Sequence, residues 1–268
     1  MSTEQQRLAW SEVGRRLEQS DCAATSLFEV TATAAPTIIQ SVGLTRGQRL
    51  LEVGCGRGDL LAYAATLGVT GVGIDIAPSI LRLAEATYPG LRVSVGDAVA
   101  LPFDACTFDA VVCSFTLGFV PDRSRAVIEA LRVLRPGGCY ALTTWLPHES
   151  GFLRYVADAV RRHGSGATSD ERMHHTYPDA SYYEELLRQA GFQHVQVASL
   201  SIALRCATPE GVLDVLRTAG ASRAMVESQS SQEQALIRAE LVSHMRPDGT
   251  LFSMPMPALL FTAYRSTV

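Results

Sequence analysis

Apolar residues recur at helical spacing from residue 5 to 41, with breaks near Asp21 and Pro36, and predict short helices at the start of the chain. At Arg49 the rhythm changes to short apolar runs alternating with amphipathic stretches. "RLLEVG" is a buried strand ending in glycines, and "DLLAYAATLG" (59–68) is a helix with a glycine stop. "VTGVGID" (69–75) is a second strand. "APSILRLAEATYPG" (77–90) is a helix with proline in its first turn and a Pro-Gly close. "LRVSVGD" (91–97), "FDAVVCSF" (108–115) and "CYALTTW" (139–145) are the third, fourth and fifth strands. The helix "DRSRAVIEALRVLRPGG" (122–138) is expected to end at its Arg-Pro-Gly-Gly. Strands separated by helices in this way predict a doubly wound, mostly parallel α/β sheet. Such sheets bind ligands outside the carboxyl ends of their strands.

After Trp145 the pattern loosens, and residues 147–177 hold no clear strand. "SYYEELLRQAGF" (181–192) reads as a helix, "HVQVASLSIAL" (194–204) as one long strand and "PMPALLFTAYR" (255–265) as a final strand. Two further helices lie between, in "PEGVLDVLRTAG" and "QEQALIRAELVSHM". The total is seven strands. With no repeat and no linker, residues 1–268 are expected to form one domain: a helical lid (1–45), a cofactor-binding core (46–145), and a substrate-side segment with the rest of the sheet (146–268).

Composition narrows the classes. The 268 residues are 47% hydrophobic and 19% charged, so a large core is available. Net charge is −4 without a basic run, so nucleic acid is not expected as a partner. No apolar run is long enough to span a membrane, and the polar start MSTEQQRLAWSEVGRRLEQ lacks the apolar centre of a signal peptide. The cytoplasm is the expected compartment, a small molecule the expected substrate, and the oligomeric state stays open. Cys22, Cys55, Cys106, Cys113, Cys139 and Cys206 form no CxxC pair, so neither disulfides nor a structural zinc site are expected. All 23 basic residues are arginine. Without lysine there is no side-chain Schiff base and no P-loop.

The glycine turn Gly54-Cys55-Gly56-Arg57-Gly58 joins a strand to a helix, whose N-terminus favours an anion, phosphate or carboxylate. Asp75, about 20 residues on, suits ribose hydroxyls in nicotinamide and adenosyl cofactors alike. The spacing GxGxG, rather than GxGxxG, turns the balance toward S-adenosylmethionine. So do Glu52 and Asp59, which a pyrophosphate would meet unfavourably.

"LLEVGCGRG", "GVGIDIAPSIL", "VGDAVALPFDACTFDAVVCSFTLGFVPD" and "ALRVLRPGG" resemble four successive motifs of the class I S-adenosylmethionine-dependent methyltransferases, in the branch acting on small molecules and natural products. The resemblance is dense from about 47 to 145, and "YYEELLRQAGFQHVQV" extends it to about 197. It implies a seven-stranded Rossmann-like methyltransferase fold with S-adenosylmethionine as cofactor. Glu52, Gly54, Cys55 and Gly56 would line the methionine part. Asp75 would bind the ribose, with Ile76 against the adenine. Asp97 and Ala98 would sit at the adenine amino group. Ser114 and Phe115 would lie near the sulfonium, and Pro136-Gly137-Gly138 would form a structural turn. Asp109 reads as structural. Many relatives carry a histidine shortly before "VPD", where this chain has Gly118-Phe119; Gly118 could make room for a bulky substrate.

Methyl transfer is an in-line displacement that needs alignment and exclusion of water; no metal is required and none is expected. A general base helps a hydroxyl nucleophile. The candidates after the fifth strand are His148, His163, His174, His175 and Tyr177, with His175 or His174 of "MHHTY" favoured. His194 and His244 read as structural. Trp10, Phe28, Phe152 and Tyr155 suggest an aromatic lid. The expected activity is methylation of a small, largely apolar metabolite, on oxygen, in secondary metabolism. Two alternatives stay open: a protein that holds the cofactor as a scaffold for a cyclisation, and a non-catalytic supporting subunit.

Overall fold

A computed structural model of the chain describes residues 2–18, 26–146, 151–165, 178–218 and 220–267. Its centre is a seven-stranded sheet of order β3-β2-β1-β4-β5-β10-β6. The strands are β1 (Arg49–Val53), β2 (Thr70–Asp75), β3 (Val93–Val95), β4 (Phe108–Ser114), β5 (Leu134–Trp145), β6 (Gln193–Leu200) and β10 (Ala258–Tyr264). β1 pairs in parallel with β2 and β4, and β4 with β5; β10 alone runs antiparallel, to β5 and β6. The central strands are apolar on both faces because helices cover both. Leu50 of β1 packs with Ala110, Val112 and Ala141 on one face. Leu51, the next residue, packs with Val111, Cys113 and Leu142 on the other.

Helices α4 (Asp59–Thr66), α5 (Pro78–Thr87) and α6 (Arg123–Val133) connect the parallel strands. Pro78 stands in the first turn of α5, where a missing N–H costs nothing. Asp122 caps α6 by accepting from the N–H of Arg125 at 2.9 Å. Before β1 lie α1 (Thr3–Glu18), α2 (Leu27–Ala32) and α3 (Ala35–Ser41). The expected break near Pro36 falls between α2 and α3, with Pro36 in the first turn of α3, and Asp21 lies outside the described residues.

Three expectations are corrected, and the loose segment gains a helix. α6 stops at Val133, and Arg135-Pro136-Gly137-Gly138 bulges out of β5 between the pairs Phe108–Leu134 and Ala110–Cys139. Gly137, at φ +75°, makes that bulge, which Arg265 of the chain end clamps through Gly137 and Gly138. The loose segment after Trp145 contains α7 (Phe152–His163), whose Phe152, Val156, Ala159 and Val160 are buried at helical spacing. The long strand expected over 194–204 is two strands in two sheets: β6, and β7 (Ala203–Cys206). β7 joins a three-stranded sheet of order β7-β9-β8 with β8 (Arg246–Asp248) and β9 (Leu251–Pro255), neither of which the pattern indicated. The remaining helices are α8 (Ala180–Gln189), α9 (Val212–Thr218), α10 (Gly220–Glu227) and α11 (Ser231–Ser243).

α1 docks on α5 through a residue with no side chain. A Cβ on Gly14 would lie 2.4 Å from Ser79 Oγ, and the Ser79 hydroxyl donates to the Ser11 carbonyl at 2.8 Å. This contact brings Trp10 over the carboxyl ends of the strands, where its ring meets Phe119 edge to face at 5.1 Å. Among the described residues no helix is long and apolar enough to cross a membrane.

Candidate active site

The turn after β1 is built by backbone conformations that only glycine adopts easily. Gly54, Gly56 and Gly58 have φ of +73°, +53° and +85°. Each is also closely covered: a Cβ on Gly54 would lie 2.2 Å from the Thr116 side chain, and one on Gly56 2.8 Å from the Phe28 ring. The Asp75 carboxylate at the end of β2 holds this turn, accepting from the N–H of Gly56 at 3.0 Å and of Ala77 at 2.9 Å. Asp75 therefore joins the loops after β1 and β2, the two places expected to meet one ligand. Asp97 shapes the loop after β3, accepting from the N–H of Val99 at 3.1 Å.

These loops open on a cavity of about 1240 Å³, with the open solvent at its mouth included. All ten residues expected around the cofactor line it: Glu52, Gly54, Cys55 and Gly56 after β1, Asp75 and Ile76 after β2, Asp97 and Ala98 after β3, Ser114 and Phe115 after β4. The cavity has two chemically distinct halves. The half on the core strands is acidic. Burial pushes the Glu52 carboxyl well above the usual carboxylate range, and the negative charges of Asp59 and Asp75 push it further. Glu52 Oε2 is buried with no hydrogen-bond partner. Burial also raises Asp75, against the pull of the N–H bonds from Ala77, Gly56 and Ile76. Arg57 offsets part of this charge by forking onto Asp59, at 3.1 and 2.9 Å.

The other half is apolar and aromatic: Trp10 from α1, Phe119 from the loop after β4 and Trp145 at the end of β5, with Phe28 of α2, over Gly56, bordering both. Phe115 and Trp145 stack at 4.1 Å. Two aromatic expectations are corrected. Phe152 is buried in the core of α7, and Tyr155 stacks on His244 at 3.9 Å; neither lines the cavity. Gly118 opens no space either: its carbonyl accepts from the buried Arg123 at 2.8 Å, and Phe119 faces the cavity in its place. Trp145 and Thr116 went unnoticed in the sequence. Their only signal was position, just at or past the carboxyl end of a strand.

The expected bases do not converge here. His174, His175, His148 and Tyr177 lie outside the described residues. His163 is at 2.7 Å from Glu240 on α11, away from the cavity. The ionisable residues lining the cavity, among those described, are the carboxylates, Arg57 and Cys55, all on the acidic half. Burial pushes Cys55 well up, Cys113 up to about 12 and Cys139 to about 11, so these thiols stay protonated and are poor nucleophiles. Asp109 is structural as expected, accepting from Arg49 N–H and from Arg135, each at 2.7 Å. Among the described residues no group of three or more His, Cys, Asp or Glu is placed to hold a metal.

The acidic half suits a cofactor bearing positive charge. The negative charges of Asp59 and Asp75 would repel a pyrophosphate, and the buried, unpartnered Glu52 carboxyl would give up its proton beside an ammonium or a sulfonium. Known proteins agree. Residues 51–142 match the family model described as a methyltransferase domain. The chain is 28% identical over 192 residues to the demethylmenaquinone methyltransferase of Renibacterium salmoninarum, covering 66% of this chain and 81% of that one. It spans about half the length of the uncharacterized mycobacterial relatives that it matches at 33% identity. Phosphoethanolamine N-methyltransferase 2 of Haemonchus contortus, solved with S-adenosyl-L-methionine, shares the fold with TM-score 0.56 and 20% identity, over 87% of this chain and 52% of that one. The [4+2]-cyclase SpnF shares it with TM-score 0.56 and 20% identity, over 93% and 86%. Strand order, cavity and domain match together define one class: the chain carries a methyltransferase domain of the class I, S-adenosylmethionine-dependent kind. Its cofactor is S-adenosylmethionine.

Proposed function

We propose that the protein transfers a methyl group to oxygen of a small, largely apolar metabolite of secondary metabolism, in the cytoplasm, with residues 1–45 acting as a lid. The observation that carries this reading is the division of one cavity into an acidic half and an aromatic half.

The bound cofactor supplies an activated methyl group. On this reading Glu52 and the turn from Gly54 to Gly56 hold its methionine part, and the unpartnered Glu52 Oε2 receives a cationic group. Asp75 accepts from the ribose hydroxyls through lone pairs that its backbone donors leave. Ile76 and Ala98 cover the adenine, beside Asp97. Ser114 and Phe115 border the reacting centre. Trp10, Phe28 and Phe119 exclude water and hold the acceptor at the ~3–3.5 Å of a near-attack geometry. The aromatic half offers no base among its described residues, so the nucleophile is either acidic by itself, as a phenol or enol is, or served by His175 or His174.

The test is incubation with methyl-labelled cofactor and a panel of phenols, enols and amines, with the H174A/H175A variant alongside. Label found on oxygen, with transfer reduced about 10²-fold in that variant, supports the reading. Label on nitrogen or carbon overturns O-methylation. Conversion of an acceptor without loss of label from the cofactor favours the scaffold alternative.

A further inference from the structure

Phe115 is one of three non-glycine residues among those described with a left-handed backbone, at φ +54°. A bulky side chain rarely adopts that conformation, and such backbones persist where neighbours over-determine them. Here two do. The Phe115 N–H donates to both oxygens of Thr143, to Oγ1 at 3.0 Å and to the carbonyl at 3.2 Å. Thr143 is 1% exposed on β5 and also meets Ser114 Oγ at 3.2 Å. Two residues along the same strand, and so on the same side of it, Trp145 receives the ring. The planes lie 27° apart with centroids 4.1 Å apart. An ordinary extended φ at 115 would continue β4 and swing the ring off Trp145. The uphill backbone thus puts an aromatic face into the cavity wall.

We propose that Phe115 and Trp145, locked by the Thr143 hydroxyl, form a stacking platform that selects a planar conjugated acceptor ring over a puckered one of equal size. The inference rests on the methyl-transfer reading of the same cavity and adds the acceptor's class. Offset stacking rewards a flat π-face beyond the area it buries, whereas a saturated ring gains only the burial. Phe119 and Trp10, edge to face at 86°, wall the same half. Phe115 and Trp145 therefore act on which acceptor is held and at what angle, not on proton transfer.

Equilibrium dialysis of the full chain against 2-naphthol and decahydro-2-naphthol tests this without relying on turnover. The two probes share a carbon skeleton and differ in planarity. The wild type should bind 2-naphthol at least tenfold more tightly. F115L should bring the two affinities within threefold, and F115Y should keep the preference. T143V keeps every ring and removes the hydroxyl anchor, so it should cut the preference at least threefold even if F115L folds poorly. Equal affinities in the wild type, or a preference undiminished in both F115L and T143V, would overturn the platform. The two readings fail separately. Planar preference with no methyl transfer to any acceptor supports the platform and removes the methyl-transfer reading. Transfer to planar and puckered acceptors with equal kcat/KM removes the platform alone.

Discussion

Arg57 of the glycine turn reaches Glu29 of helix α2, Nη1 to Oε1 at 3.2 Å, while the rest of its guanidinium forks onto Asp59. Glu29 in turn accepts from the N–H of Ser26, closing a capping box at the start of α2. The glycine turn and helix α2 are thereby tied by an ion pair at the cavity. Glu29 is 42% exposed, so solvent screens the pair and its worth is modest, ~0.2–1 kcal/mol. E29Q should therefore speed cofactor dissociation only about two- to fivefold. The difference from wild type should shrink in ~0.5 M salt, where the Debye length is under ~5 Å. Stopped-flow displacement at two salt concentrations measures it, and a salt-independent difference would assign the effect to α2 capping instead.

Glu52 makes the stability of the cofactor-free protein pH-dependent. Its carboxyl is raised in the fold, first by burial and then by Asp59 and Asp75. The folded chain thus keeps a proton that the unfolded chain releases. That contribution is fully present below the unfolded value of ~4.3 and is lost as pH rises through the raised one. E52Q should flatten this decline and raise Tm near neutral pH, while weakening cofactor binding about tenfold or more. The raised Asp75 leaves part of the slope in place. Thermal melts from pH 5 to 8, with and without cofactor, read both effects; an E52Q profile parallel to wild type would refute the assignment.

Gly54 combines φ +73° with a side chain, Thr116, standing where a Cβ would go. G54A adds backbone strain of ~1–3 kcal/mol to that overlap. Calorimetric titration of G54A should show cofactor binding lost, and its melt should fall by several degrees. Retained affinity would mean the turn is not the cofactor's seat.

Gly14 sets helix propensity against docking. Alanine in a helix interior gains ~0.5–1 kcal/mol over glycine. Its Cβ, however, would meet Ser79 Oγ at 2.4 Å and the Ile80 backbone nitrogen at 2.9 Å. Because backbone must move as well as a side chain, the clash wins. G14A should loosen α1 from α5, and a change to valine should do so further. Trp10 rides on α1, so its fluorescence should shift to the red and limited proteolysis should cut near residue 18 sooner. An unshifted spectrum would show that α1 docks by other contacts.

Much of the acidic half of the cavity was written in local chemistry. Glycines at three positive-φ sites, an acidic residue closing β2 and apolar runs from Leu50 onward each act within a few residues, so one-dimensional pattern located them. The seven-stranded, mostly parallel sheet also followed from strand rhythm and family motifs, while its order and the antiparallel β10 came from the fold. What one dimension does not carry is which distant side chains share a space. Phe152 and Tyr155 read as lid aromatics, yet packing of α7 buries the one and pairs the other with His244. Trp145 looked like the end of a strand until the fold set it 4.1 Å from Phe115. The split of 194–204 between two sheets hung on β9, which pairs with β7 from nearly fifty residues away. The sequence by itself determined the glycine turn and the sheet that carries it, since short-range sterics and periodic burial decide those. Only the tertiary structure decided which aromatic side chains line the cavity, because they come from helices and strand ends that meet solely through long-range packing.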